Sequence, residues 1–289
     1  MDPTLWQAVG RTCGSVVSGA SRMSGGDINE AYRVSLADGR SVFVKTHSRA
    51  DPRMFVCEAR GLEWLAAARA IRVPDVIGVG DDSTARPGYL VLEFITPARR
   101  APDFDARLGR GLATLHRHGA AEFGLTYDNF IGSLPQDNRS CATWPTFYLS
   151  RRLEPQVRRA IESGAATSDW GARLDRLGQR LERLVGDPEA PARLHGDLWS
   201  GNVHTDNEGG PCLIDPAVYG GHREIDLAML SLFGNPGPRC WAAYDEVYPR
   251  APGAAERLPL YQLYPLLVHV NLFGGDYGRA VEATLARYA

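Results

Sequence analysis

Alternating and helical apolar patterns divide this chain into two halves of different character. Apolar residues through Val9 follow a helical spacing after Asp2-Pro3-Thr4, and Val16 to Ala20 reads as a strand. Ala31 to Leu36 and Ser41 to Thr46 alternate apolar and polar side chains around Asp38-Gly39, a dipeptide that favours a tight hairpin turn. Asp51-Pro52 opens a helix in which Phe55, Ala59, Leu62 and Leu65 recur on one face, and Pro74 closes the region. Val76 to Val79 and Tyr89 to Ile95 are strands on either side of the turn-rich Asp81 to Gly88. Beyond the crossover at Pro97 to Pro102 helices dominate. They are Asp103 to His118 with Leu108, Leu112 and Leu115 on one face, Trp144 to Glu162, Trp170 to Val185, His222 to Leu232, Pro238 to Tyr248, Ala254 to Phe273 and Tyr277 to Tyr288. Only short strand pieces, at Leu194 and Leu213-Ile214, interrupt them.

Strands with one helix, followed by a run of helices, predict an α+β architecture. The division expected is a lobe over 1–96 and a larger helical lobe over 97–289, with the seam near Ile95 to Pro102 a natural place for a ligand. With 289 residues, 44% hydrophobic and 23% charged, the chain can bury a substantial core. The formal net charge of -2 gives no global basic field for a nucleic-acid backbone. No apolar run approaches the length of a membrane span, and no signal peptide is evident at the start. The five cysteines are odd in number and lack C-x-x-C spacing, which argues against a disulfide framework or a zinc site. A cytoplasmic protein with reduced thiols, binding neither nucleic acid nor membrane, is the expectation.

The chemistry concentrates at His195-Gly196-Asp197-Leu198-Trp199-Ser200-Gly201-Asn202, followed by Leu213-Ile214-Asp215-Pro216, in which Asp215 lies thirteen residues after Asn202. Phosphoryl transfer needs an oriented acceptor hydroxyl and Mg²⁺ held against the phosphates. Asp197 on a tight loop can accept the hydroxyl proton. Asn202, and Asp215 at the end of an apolar strand, supply the oxygen ligands that Mg²⁺ prefers. Taken singly, each piece could be a set of turn formers. Upstream, Lys45 ends the strand Val42-Phe43-Val44-Lys45 and Glu58 follows on the next helix, the order of a pair that positions ATP phosphates. An edge-strand lysine kept for solubility is the competing account. Gly25 and Gly26, in Ser24 to Asn29, could let backbone N–H groups approach phosphates, although a plain turn explains them almost as well. The backbone at Glu93, Phe94 and Ile95 could meet an adenine edge. Asp226, in His222 to Asp226, could support the catalytic loop through backbone N–H bonds. His269 in its apolar helix reads as a satisfied core residue.

At these residues the sequence resembles the fructosamine, or ketosamine, kinases, within the aminoglycoside and choline kinase group of protein-kinase-like bilobal folds. The matching segments are GGDINEAYRV (25–34), FVK (43–45), GLATLH (111–116), FGLTYDNFIG (123–132), PQDN with its W and FY (135–148), HGDLWSGN (195–202), LIDPAVYGGHREIDLAM (213–229) and LYQLYPLLVHVNLFGGDY (260–277). The HGD-x-x-x-x-N core is common to the whole group; the Trp199, NFIG and LYPLLVHVNLFG blocks are specific to the family.

The resemblance implies ATP- and Mg²⁺-dependent phosphorylation of the sugar-derived 3-hydroxyl of a free or protein-bound ketosamine, in the service of protein deglycation. Carried over, Asp197 is the base, Asn202 and Asp215 bind Mg²⁺, and Lys45 with Glu58 positions the phosphates. Gly25, Gly26, Glu93, Phe94 and Ile95 bind nucleotide, Trp199 faces the sugar, and His195 and Asp226 support the loop. Two segments depart from the family pattern. Tyr219-Gly220-Gly221-His222 stands where two tyrosines and an acidic residue are more usual, and Gly234 to Pro238 is atypical of the loop after LFG. Both bear on the acceptor. A kinase for an aminoglycoside or choline-like amine, and a catalytically dead binding module, are the other readings; the presence of Lys45, Asp197, Asn202 and Asp215 argues against the second.

Overall fold

The computed structural model describes residues 3–23, 29–48, 51, 53–80, 88–234 and 236–288. The chain divides into two compact units, Met1–Phe104 with Val203–Pro216, and Asp105–Asn202 with Ala217–Ala289. The first unit thus takes in a short return segment from far along the sequence.

In that unit, helix α1 (Pro3–Cys13) starts on proline, whose fixed φ suits a first turn, and buries Leu5, Ala8, Val9 and Cys13. Strands β1 (Val17–Met23), β2 (Glu30–Leu36) and β3 (Ser41–His47) follow, then helix α2 (Arg53–Ala66) and strands β4 (Val76–Gly80) and β5 (Gly88–Glu93). The five strands form one antiparallel sheet in the order β1-β2-β3-β5-β4. The turn between β2 and β3 uses Gly39 at φ 88°, with the Asp38 carboxylate accepting the Arg40 N–H at 3.0 Å. Val42 and Val44 face a core made with Leu5, Val9, Val34 and Val91, while Lys45 points to the other face. β5 stops at Glu93, two residues short of the expected Ile95. Its ladder with β3 ends where Val42 pairs with Glu93, one residue from the start of β3 at Ser41.

The return segment is a hairpin, Val203–Thr205 against Pro211–Leu213. Its turn is fixed by the buried Asp206 carboxylate, which accepts N–H groups of Glu208 at 2.9 Å and Gly210 at 2.7 Å.

The second unit is helical. Helix α3 (Phe104–His118) enters it, and helices α4 (Trp144–Phe147), α5 (Glu154–Glu162), α6 (Asp169–Leu184), α7 (Glu224–Phe233), α8 (Pro238–Val247), α9 (Ala254–Phe273) and α10 (Tyr277–Tyr288) complete it. The expected single helix over 144–162 is broken by a π-helical turn, Tyr148–Leu153. The cause is Pro155 in the first turn of α5, which cannot donate to the carbonyl of Arg151 and crowds it. The helix expected from His222 begins at Glu224, because Tyr219–Gly221 pairs as a strand with Ala192–Leu194. A short hairpin, Asn129–Ile131 with Leu134–Gln136, was not legible in the alternation. The core joins Phe147, Tyr148, Leu177, Leu194, Tyr261 and Leu267 from these elements. None of the five cysteines is in a disulfide. No helix among the described residues is long and apolar enough to cross a membrane.

Candidate active site

Lys45 lies on β3, the middle strand of its sheet, and is 5% exposed, so it is not an edge lysine kept for solubility. Its Nζ donates to Glu58 Oε1 at 2.7 Å and to Asp215 Oδ1 at 2.5 Å. Glu58 is presented by α2 on the same face as the buried Phe55, Leu62 and Leu65, three and four residues from its neighbours on that stripe. Asp215 follows the Pro211–Leu213 strand with φ 57°, a left-handed conformation that costs a non-glycine residue about 1 kcal/mol or more. Burial pushes the Glu58 carboxyl up; Lys45 opposes that shift and Asp215 adds to it. The Lys45 ammonium, although buried, is held above the ordinary lysine value by the two carboxylates and stays charged.

Gly25 and Gly26 lie outside the described residues. Glu93 turns its side chain to Arg72, whose Nη2 donates to Oε1 at 2.5 Å while Nη1 donates to Asn207 Oδ1 at 3.0 Å. Strand pairing ends at Glu93, so Phe94 and Ile95 leave the sheet as half-buried linker residues, with the Arg33 guanidinium 4.8 Å from the Phe94 ring centroid. Arg72 was not foreseen; an arginine between the apolar Ile71 and Val73 was the available signal.

In the second unit the loop after the Ala192–Leu194 strand carries Asp197. Gly196 has φ 81°, and a Cβ there would come within 2.0 Å of the Ala217 carbonyl oxygen, so both conformation and space demand glycine. The buried Asp226 carboxylate accepts the His195 N–H at 2.7 Å and the Gly196 N–H at 2.9 Å. His195 is itself fully buried, and its carbonyl accepts the Ala217 N–H at 2.9 Å. Asn202 donates its amide Nδ2–H to the Asp197 carbonyl at 2.8 Å and carboxylate at 3.1 Å. That orientation turns the amide oxygen, a hard ligand, to the opposite edge of the group. Trp199 is 38% exposed, so it is not a core tryptophan, and its ring lies over Gly201, where a Cβ would come within 2.3 Å of it. Ser200 Oγ donates to the Phe233 carbonyl at 2.7 Å and ties the loop to the end of α7.

The loop therefore combines a half-buried carboxylate, an amide that fixes it and an exposed aromatic ring. Lys45, Glu58 and Asp215 form a separate charged triad in the first unit. Asn202 and Asp215 each carry an oxygen donor of the kind Mg²⁺ takes, so each fits that ion chemically.

A family model described as fructosamine kinase matches residues 2–289. A protein of Enterococcus faecium named "Probable ketoamine kinase" is 40% identical over 270 residues, covering 91% of this chain and 93% of the relative. Among solved structures, a candidate fructosamine-3-kinase from Thermobifida fusca superposes with a TM-score of 0.88 at 41% identity, over 98% of this chain and 97% of that one. An aminoglycoside phosphotransferase solved with ADP and hygromycin B shares the fold at a TM-score of 0.64 and 18% identity, over 99% of each chain.

Proposed function

The chain belongs to the fructosamine kinase family, with the protein-kinase-like fold, and from that premise we propose that it transfers the γ-phosphoryl group of ATP to the 3-hydroxyl of a ketosamine, with Asp197 as the base. The observation that carries the proposal is the Asp197 carboxylate held by Asn202 on a loop whose backbone is fixed by the buried Asp226.

Asp197 accepts the proton of the attacking hydroxyl as the oxygen–phosphorus bond forms, and the bond to the ADP oxygen breaks. Proton acceptance needs the carboxylate oriented, which the Asn202 amide does from one side and the Gly196 turn does from below. Lys45, kept charged and braced by Glu58, steadies the nucleotide phosphates. Asn202 and Asp215 would hold Mg²⁺, which when bound neutralises charge on the phosphates. Phe94 and Ile95 would meet the adenine edge. The exposed Trp199 offers an apolar ring face to the sugar. The family's ketoamine and fructosamine names and the ADP complex of the fold relative support the same substrates here. The phosphorylated product decomposes and frees its amine, which makes the reaction a deglycation step for free or protein-bound adducts.

ADP release with fructosamine, ribulosamine, aminoglycoside and choline acceptors tests the assignment: turnover is expected on the first two, and turnover confined to the last two overturns it. Asp197→Asn is expected to lower kcat by about 10²- to 10⁴-fold while the protein stays folded; equal rates for the two proteins would show that Asp197 is not the base, and no turnover by either would indicate a binding module.

A further inference from the structure

The π turn at Tyr148–Leu153 carries into the interior a charged group that phosphoryl transfer, as assigned, does not use. Arg152 is fully buried. Its Cζ stands 3.9 Å from the Tyr219 ring centroid, 4.5 Å from that of Phe147 and 5.6 Å from that of Tyr264. No ion pair among the described residues includes it; the Asp137 carboxylate pairs with Arg139 and Arg151 instead. Arg152 meets neutral oxygens. Nη1 donates to the carbonyls of Asp137 at 2.7 Å and Arg151 at 3.1 Å, and Nη2 donates to Asn138 Oδ1 at 2.6 Å. Desolvating an ion is costly, and π turns recur at functional sites, so both features point to a use.

The carboxamides beyond Arg152 can point only one way. An arginine only donates, so Asn138 turns its oxygen toward it and its nitrogen away. Asn138 Nδ2 then donates to Asn129 Oδ1 at 2.8 Å and to the Tyr127 carbonyl at 3.1 Å. Asn129 Nδ2 donates in turn to the Val218 carbonyl at 2.8 Å. A second line starts at Tyr264, whose hydroxyl donates to Gln136 Oε1 at 2.7 Å. Gln136 Nε2 donates to Asn129 Oδ1 at 2.7 Å and to the Ala217 carbonyl at 3.1 Å. Burial raises the Tyr264 hydroxyl above its ordinary value and keeps that donor protonated, and the Asp197 carboxylate adds to the shift. Flipping any of the three amides would set nitrogen against nitrogen or oxygen against oxygen. The two carbonyls at the end of the relay belong to the stretch that begins two residues after Asp215. Its Ala217 N–H donates to the His195 carbonyl at 2.9 Å, and the Tyr219 ring that Arg152 covers comes within 3.3 Å of the Cβ position at Gly196.

We propose that Arg152 is a positioning residue for phosphoryl transfer: by fixing the direction of the Asn138, Asn129 and Gln136 amides it holds the Ala217–Tyr219 backbone, and so sets where the chain returns after Asp215. The proposal rests on the reading of Asp215 as a Mg²⁺ ligand in a kinase. If Arg152 were only an ion in the core, a packed apolar side chain of similar volume would serve as well, and a carboxylate placed beside it would be stabilising.

Three substitutions separate the two cases. Arg152→Met keeps much of the volume and removes the donor. Asn138→Asp gives Arg152 a counter-charge and removes the donor to Asn129. Arg152→Lys keeps a charged donor. Each is measured for kcat, for KM with a ketosamine and for the Mg²⁺ concentration that gives half-maximal rate, well below its own unfolding temperature. Amide hydrogen exchange at Ala217 is measured on the same proteins without metal or nucleotide. Arg152→Met and Asn138→Asp are expected to lower kcat by about 10- to 100-fold, as loss of a residue supporting a metal ligand does elsewhere. Both should raise the Mg²⁺ requirement, leave KM for the ketosamine unchanged and speed exchange at Ala217, with Arg152→Lys between them and the wild type. Wild-type kcat and exchange in Asn138→Asp would overturn the proposal, whatever Arg152→Met does, because the ion is then paired, the volume kept and only the relay cut. If Arg152→Met does not fold, Asn138→Asp carries the same decision. The exchange measurement needs no turnover. A wild-type protein inactive on ketosamines whose Ala217 exchange follows this pattern would remove the kinase reading and keep the backbone positioning. An active protein with exchange indifferent to both substitutions would do the reverse.

Discussion

Removing the ammonium from the Lys45 triad should destabilise the ligand-free protein, and more so at high pH. Lys45 Nζ and Glu58 Oε1 are 2.7 Å apart, with side chains 7% and 14% exposed. At an effective dielectric of about 20, two unit charges at that separation attract by about 6 kcal/mol, and desolvating both ions offsets most of it. The Asp215 partner is 41% exposed, so solvent screens its share and it adds little. Lys45→Met strands the Glu58 carboxylate in the interior, which costs about 3–5 kcal/mol when a buried pair loses one partner. Glu58 already titrates above the ordinary glutamate value because it is buried, and without Lys45 it moves further up. Between the unfolded-state value near 4.3 and that raised value, the folded protein holds a proton the unfolded chain has released, so its stability falls as pH rises. The deficit of Lys45→Met should therefore be small near pH 5 and large near pH 8. In the wild type the raised lysine value means that the ammonium's contribution is intact below about pH 10.4 and is lost only at higher pH. Urea unfolding of both proteins at the two pH values, together with Lys45→Met/Glu58→Gln, makes the measurement. The double variant should recover most of the loss at pH 8. A deficit independent of pH, or one the double variant does not relieve, would show that Glu58 is not the stranded charge.

Three further outcomes follow from the geometry. Gly196→Ala, which combines φ 81° with a contact of 2.0 Å to the Ala217 oxygen, should lower stability by about 3 kcal/mol or more and abolish turnover; a normal unfolding temperature would show that the loop has room to shift. His222 is buried and held down to about 4 by desolvation. As pH falls from about 6.5 to 4 the unfolded chain binds a proton that the folded one refuses, removing about 3 kcal/mol. His222→Gln should flatten that acid limb, and identical limbs would refute the assignment. Arg72→Gln releases the Glu93 carboxylate and should raise KM for ATP by about threefold to tenfold, roughly 1 kcal/mol, with kcat held; an unchanged KM would show that the linker does not depend on Arg72.

Much of the architecture was legible because the relevant signals are local. The Asp38-Gly39 turn, the stripe from Phe55 to Leu65, and the helices at 254–273 and 277–288 lie where propensity and periodicity place them. What was missed depends on partners distant in sequence. The π turn at Tyr148–Leu153 needs Pro155 and the burial of Arg152 among Phe147, Tyr219 and Tyr264. The Asn129–Gln136 hairpin is held by amides, with Gln136 Nε2 donating to the Ala217 carbonyl at 3.1 Å and Asn129 Nδ2 to that of Val218 at 2.8 Å. Neither contact leaves an alternating pattern. His116 had a readable sign, since it lies one turn beyond Leu112 on the leucine face of α3. A polar residue on an apolar stripe must find a buried partner, and only the structure identifies that partner as Asp226.

The interval between Asn202 and Asp215 has a physical origin in the hairpin that fills it. Val203 starts one three-residue strand, Leu213 ends the other, and Asp206 closes the turn with two backbone bonds. Ile214 then leads into Asp215, whose left-handed φ reverses the chain, and two residues later the Ala217 N–H is bonded to the His195 carbonyl. The chain thus leaves the second unit after Asn202 and re-enters it at Ala217. A one-residue insertion in either strand would exchange the two faces of the hairpin and rotate the Asp215 carboxylate away from Lys45, whereas an insertion within the turn at Asn207-Glu208 would leave the ladder in register. The thirteen-residue spacing is therefore the length of a strand–turn–strand excursion between two anchored ends, and the functional pattern in the sequence follows from that backbone constraint.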